Sequence, residues 1–202
     1  PCTVHQLARQ KTWTVVRSAS AGEGQIVRAS PRNGIVDTVI GSSSLGLVLI
    51  AVTPRGIASV LIGDDEGALE EDLRRRMCGT LLRYGGPHAA EALPRVQRAI
   101  ETPMVTHDFA LDITGTDFQR RVWTALREIV PGETRSYSQI ACAIGARTSV
   151  RAVAAACAAN PIAVLIPCHR VVRSDGALSG YRWGIERKRE LLMRERAWAI
   201  AA

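Results

Sequence analysis

The chain has 202 residues, 47% of them apolar and 22% charged, and a formal net charge of +7. That length allows one domain with a full core or two small ones, and this balance excludes a disordered chain. No apolar run reaches the roughly 20 residues of a membrane span, and the N-terminus lacks a signal-peptide pattern.

The charge is unevenly placed. Residues 111–202 hold 14 Lys and Arg against 8 Asp and Glu, whereas residues 1–110 hold 12 against 11. A one-sided basic excess fits a polyanionic partner or a merely soluble basic surface. The five cysteines, Cys2, Cys78, Cys142, Cys157 and Cys168, show no CxxC pair and no even framework, so reduced thiols are expected. Cys2 and His5 resemble half a zinc site, but no second ligand pair follows and no metal is expected.

Residues 1–34 are rich in Ser, Ala, Gly and Arg and read as a leader or linker. Gly46–Val52 and Ile57–Ile62 read as strands of a hairpin, with Thr53–Gly56 as the turn. Asp64 and Asp65 then suit a helix N-terminus, and Leu69, Leu73, Met77 and Leu81 recur at helical spacing. Gly85, Gly86 and Pro87 break that helix. A second helix runs over Ala89–Ile100 and a short strand over Phe109–Ile113. Residues 35–111 are thus expected to form a small antiparallel sheet with helices, an α/β scaffold domain without chemistry of its own.

From Gly115 the pattern turns helical. Thr116 is placed to cap a helix that presents Phe118, Val122, Trp123, Leu126 and Ile129 on one face. Ser136 caps Tyr137–Ile144, Gly145 ends it, and Thr148–Ala159 follows, which is a helix-turn-helix pattern. The second of these helices is rich in alanine, fitting either a core helix or one that lies close against a nucleic-acid backbone. Arg151 projects from its first turn. Val171–Gly180 reads as a hairpin turning at Asp175-Gly176, a wing after the helix-turn-helix. The last helix, Gly184–Arg196, carries Arg187, Lys188, Arg189, Arg194 and Arg196, which read as a solvated face.

Chemistry is proposed by Ile166-Pro-Cys-His-Arg-Val-Val172. A cysteine thiol is mostly protonated at neutral pH, and an adjacent imidazole can take its proton, directly or through one water. The alternative is a buried structural cysteine beside a satisfied histidine. Residues 112–195 decide between these, because they resemble the O6-alkylguanine-DNA alkyltransferases, the methylated-DNA–protein-cysteine methyltransferases. The resemblance rests on Thr116-Asp-Phe-Gln-Arg-Arg-Val-Trp123, Gly132-Glu-Thr-Arg-Ser-Tyr137, Val150-Arg-Ala-Val153, Asn160-Pro161, the Cys168 segment and Ser179-Gly-Tyr-Arg-Trp-Gly184. It is strongest to the C-terminal half of the bacterial Ada-type members, and residues 44–110 fit the family's small N-terminal domain more loosely.

The resemblance implies a mostly helical C-terminal domain over residues 112–202, with a winged helix-turn-helix. It also implies DNA repair by stoichiometric, irreversible transfer of an alkyl group from O6-alkylguanine to Cys168, with O4-alkylthymine as a further candidate. His169 would be the base through a water, Glu195 would orient it, and Asn160 would hold the turn before the nucleophile. Tyr137 would serve the departing guanine or pack near phosphate. The Val171 backbone would help bind a flipped base whose gap Arg151 fills. Thr148 and Ser149 would lie on the DNA side, and Tyr181, Arg182 and Trp183 would line the substrate side. No cofactor is implied. The expected partner is double-stranded DNA carrying alkylated bases, met by a monomer in the bacterial cytoplasm at the nucleoid, with no membrane.

Bulky Arg182 and Trp183, as in Ada-type members, suggest a pocket that favours methyl over benzyl. The competing readings are a lesion-binding module without transfer, a transcriptional regulator and a Cys-His hydrolase. The joint presence of Cys168, His169 and Glu195 argues against the first. The few base-reading side chains on the Ala-rich helix argue against the second. The third lacks an oxyanion-hole motif.

Overall fold

A computed structural model of the chain describes residues 34–102 and 108–201. The leader expected over 1–34, with Cys2 and His5, lies outside the described residues except for Gly34.

Strands β1 (Ile35–Ser43), β2 (Gly46–Thr53) and β3 (Gly56–Gly63) form an antiparallel meander. Helix α1 (Glu66–Arg76) leads to β4 (Leu81–Tyr84), which pairs in parallel with β1 and gives the order β3-β2-β1-β4. The sheet is therefore mixed, where an antiparallel one was expected. Helix α2 (Pro87–Glu101) follows. The apolar runs of β2 and β3 are continuous because both faces are covered. Val48, Ile50, Val60 and Ile62 pack into the main core with Val96 and Ile100 of α2. Leu49, Ala51 and Leu61 pack into a second core with Leu69 and Leu73 of α1.

Two expectations for this half change. The helix expected to reach Leu81 stops at Arg76, because Gly79 takes φ +77 and redirects the chain, leaving Leu81 50% exposed on β4. The strand expected over Phe109–Ile113 reduces to one parallel bridge between Leu111 and Ile57. That bridge makes Gly56 indispensable: its φ is +135, and a Cβ there would lie 2.1 Å from the Ala110 carbonyl oxygen. Gly56→Ala is expected to cost about 2 kcal/mol, read as a lowered urea midpoint with unchanged slope.

The free edge of β3 is where the two halves of the chain join. Val60 N–H donates to Pro161 O at 3.0 Å, and Val60 O accepts from Ala163 N–H at 2.9 Å. Helix α3 (Asp117–Arg127) is closed by a capping box between Thr116 and Gln119, and its Trp123 donates to Ala156 O at 2.9 Å. Strand β5 (Arg135–Ser136) leads into α4 (Tyr137–Ala143), which a second capping box, Ser136 with Gln139, starts. Helix α5 (Val150–Ala158) completes the helix-turn-helix, starting two residues later than the predicted Thr148. A 3-10 turn at Cys168–Arg170, strand β6 (Val171–Val172) and helix α6 (Ile185–Ala201) end the fold.

The wing expected over Val171–Gly180 is a turn and not a paired hairpin. Arg173 N–H donates to Ala177 O at 3.0 Å, while Val171 and Val172 pair in parallel with Arg135 and Ser136. No helix of the described residues is long and apolar enough to cross a membrane.

Candidate active site

The approach to Cys168 is fixed from both sides. Pro161 and Ala163 hang on β3, and Val164 takes a left-handed φ of 64, a strained conformation for a β-branched residue. Asn160 is fully buried and bridges the loop: its amide donates to Ile166 O at 2.8 Å and to Cys168 Sγ at 3.2 Å. Its Oδ1 accepts from Ile162 N–H at 2.9 Å. Asn160 thus both closes the turn and touches the sulfur.

Burial pushes the Cys168 thiol up to about 11, against the opposing pull of the Asn160 hydrogen bond and the Lys188 ammonium. The thiol is therefore protonated at neutral pH and needs a base. His169 is fully buried, and its Nε2 lies 2.9 Å from Glu195 Oε1. Glu195 also accepts from Arg170 Nε at 3.1 and 3.2 Å, from Arg170 Nη2 at 2.9 Å and from Gly132 N–H at 3.2 Å. Burial alone would raise this carboxyl, but the bonds and charge of His169 and Arg170 hold it at about 2. Burial lowers the His169 pKa despite the carboxylate beside it. The charge balance is thus an ionised Glu195 matched by Arg170, with a neutral imidazole. Nε2–H donates to the carboxylate, which leaves Nδ1 as the basic nitrogen. That Nδ1 is buried and has no hydrogen-bond partner among the described residues.

A second polar chain lies beside the first. The Tyr137 hydroxyl is 2.6 Å from Ser179 Oγ, which accepts from Lys188 Nζ at 3.1 Å. Lys188 is fully buried and also donates to Val171 O at 2.5 Å. The Val171 N–H donates to Cys168 O. Tyr181 and Trp183 pack edge-to-face at 5.1 Å, Tyr181 meets the His169 ring at 6.4 Å, and the Tyr181 hydroxyl and Trp183 indole N–H are buried without partners among the described residues. Burial, then the negative charges of Cys168 and Glu195, push the Tyr181 phenol well up.

The remaining predicted residues sit apart from this cluster. On α5, Arg151, Ala152, Ala155 and Ala158 are exposed while Val153, Ala156 and Cys157 are buried, so most of its alanines form a smooth outer face. Thr148 is exposed and Ser149 is the N-cap residue of α5. Arg182 points away from the substrate side and binds Asp72. Cys142 is exposed, and Cys157 is buried, with burial and then the charge of a Cys168 thiolate raising it to about 12. Cys157 therefore neighbours the site as well as filling the core.

Sequence reasoning missed Arg170, Ser179 and Lys188. A signal for Lys188 existed: it shares one helical face with Leu191, Leu192 and Glu195, all buried. The solvated-face reading of the last helix holds for Arg189 and fails for Lys188, Arg187 and Arg194, the last two with side chains only 19% and 22% exposed.

A buried cysteine held by Asn160, next in sequence to a histidine of a His–Glu–Arg network and in one fold with a helix-turn-helix of smooth outer face, is the arrangement of a DNA-binding protein with a thiol site. The family model described as "6-O-methylguanine DNA methyltransferase, DNA binding domain" matches residues 117–197. The chain is 45% identical over 175 residues to the bifunctional transcriptional activator/DNA repair enzyme Ada of Escherichia coli, covering 83% of this chain and 48% of that protein. It is 55% identical over 94 residues to a methylated-DNA–protein-cysteine methyltransferase of Mycobacterium tuberculosis, covering 46% of this chain and 57% of that one. The solved structure of Mycobacterium tuberculosis OGT in complex with DNA superposes with a TM-score of 0.68 at 38% identity, over 80% of this chain and 94% of that one. The chain belongs to the 6-O-methylguanine DNA methyltransferase family. It spans about half the length of the Ada relatives it matches.

Proposed function

We propose that the chain repairs DNA by moving an alkyl group from O6-alkylguanine onto Cys168, once per protein molecule. The observation that carries this reading is the buried Cys168, held by Asn160, next to a neutral His169 whose Nδ1 is open.

The step balances without a cofactor. His169 Nδ1 takes the thiol proton through one water, and Glu195 stabilises the imidazolium that forms. Cys168 Sγ bonds to the alkyl carbon as the carbon–O6 bond breaks, and the electron pair goes to the guanine. The base then gains a proton, so that thiol and alkyl ether become thioether and guanine. Tyr137 is suited to supply that proton. With Lys188 donating to Ser179 and Ser179 to Tyr137, the phenolic proton is left for another acceptor. The thioether is stable and no second nucleophile is assigned to remove the alkyl group, so the protein is consumed.

An O6 substituent inside a duplex stack is out of reach of a buried thiol, so the base must be extruded. The relative solved with DNA and the exposed Arg151 on the smooth face of α5 support duplex DNA as partner, with Arg151 filling the gap. The Val171 backbone, Thr148 and Ser149 belong to the same proposed surface. The division near residue 111 into a scaffold part and a transfer part also belongs to this reading, as do action as a monomer and a place at the nucleoid in the cytoplasm.

The test is a duplex with one O6-methylguanine, followed by chromatography of its nucleosides. Loss of the lesion matched one-to-one with active protein, and absent in Cys168→Ala, is expected. Arg151→Ala should slow transfer from the duplex about tenfold and change transfer from free O6-methylguanine by less than about twofold.

A further inference from the structure

The segment that walls the Cys168 site is a β-turn, Tyr181–Gly184, closed by Gly184 N–H to Tyr181 O at 3.0 Å. It puts the Tyr181 and Trp183 rings inward, Trp183 being only 5% exposed. Among the described residues neither the Tyr181 hydroxyl nor the Trp183 indole N–H has a partner, so polar contacts within them do not hold the rings from the inside. The polar restraints lie outside. Arg182 Nη2 reaches across 110 residues to Asp72 of α1, at 2.8 and 2.9 Å from its two carboxylate oxygens, while Nη1 makes a longer 3.4 Å contact with Ala158 O. Arg187 grips the turn from its other end. Its Nη1 donates to Trp183 O at 2.8 Å, Nε to Leu45 O at 2.6 Å and Nη2 to Asp64 at 2.5 Å.

We propose that Asp72, with Asp64 in support, sets the size limit of the alkyl group by tethering the Tyr181–Trp183 wall closed against the acceptor cysteine. The inference rests on the alkyl-transfer reading and gives the N-terminal half a part in substrate selection. Asp72 is the stronger anchor. Its side chain is 19% exposed and is itself fixed by Arg76 Nε at 3.1 Å, whereas the Asp64 side chain is 83% exposed and screened by solvent. In this proposal the rings, held inward and edge-to-face at 5.1 Å, admit a methyl and obstruct a benzyl. With the tether cut, the Arg182 side of the turn is released, and only the Arg187 contact to Trp183 O and the apolar packing of the rings resist its outward movement. Asp72 acts through Arg182 and is a positioning residue.

The experiment measures alkylation rates of Cys168 by two duplexes, one with O6-methylguanine and one with O6-benzylguanine, for wild type, Asp72→Asn, Asp72→Glu and Arg182→Gln. The benzyl-to-methyl rate ratio is expected to rise about fivefold in Asp72→Asn and in Arg182→Gln, and to stay near wild type in Asp72→Glu. The methyl rate should change by less than about twofold in all of them. A general loss of folding would lower both rates and leave the ratio unmoved. If wild-type Cys168 takes methyl, and both tether variants keep the methyl rate within about twofold yet show the wild-type ratio, the tether is overturned and the transfer reading stands. If wild-type Cys168 takes no methyl, the transfer reading fails and the tether falls with it.

Discussion

Replacing Glu195 with glutamine is expected to remove about 3 kcal/mol of stability. A carboxyl whose pKa falls from an ordinary 4.5 to about 2 on folding contributes roughly that amount at neutral pH. Breaking one side of a buried ion pair costs a similar 3–5 kcal/mol, roughly, because here the Arg170 charge would be left buried without its partner. Acid should act in two stages. The His169 pKa is lowered by folding, so its contribution is complete above about pH 6.5 and declines as pH falls below that. The Glu195 contribution is complete above 4.5 and is lost as pH falls toward 2. Urea unfolding of the two proteins from pH 7 down to pH 3 reads both. A Glu195→Gln variant within about 1 kcal/mol of wild type at pH 7 would contradict the charge assignment.

Removing the base should have the largest effect on the chemistry. His169→Gln is expected to slow methyl transfer at pH 7 about a thousandfold. The pH profile separates this from a packing defect. In the wild type the imidazole is already neutral above about pH 7, so the rate should be flat there. In the variant the reactive thiolate must come from direct ionisation of a thiol whose pKa is about 11. Its rate should then climb about tenfold per pH unit through the alkaline range. A variant with a flat profile, merely displaced downward, would show that His169 is not the base.

The local parts of this site were legible in the chain. Cys168, His169 and Asn160 lie within ten residues, and Thr116 and Ser136, read as caps, announced the starts of α3 and α4. Glu195 came only from the family resemblance, although it shares with Lys188, Leu191 and Leu192 the face of the last helix that is buried. What stayed hidden depends on packing between distant segments. Lys188 looked like one more solvated cation until α6 turned its inner face to the carbonyl of Val171 and the hydroxyl of Ser179. Strand β1 carries Asp37 in its apolar run, an interruption explained only when Arg83 and the His88 N–H meet it at 2.8 and 3.0 Å. Strand β4 continued a helical spacing that Gly79 interrupts. The wing failed for a related reason: the extended pair Val171–Val172 finds its ladder in Arg135–Ser136, far away in sequence. Arg182 was read toward the substrate, whereas its charge is matched by Asp72 on the other side of the turn.

The most direct test of the central claim is intact mass spectrometry with peptide mapping after incubation with a duplex carrying one O6-methylguanine. The prediction is one added methyl per molecule, located on Cys168, reaching a plateau at one equivalent of lesion and absent in Cys168→Ala. An unchanged mass with the duplex still bound would contradict it and leave a lesion-binding module. Repair continuing past one equivalent, with no methyl retained on Cys168, would contradict the single-turnover transfer.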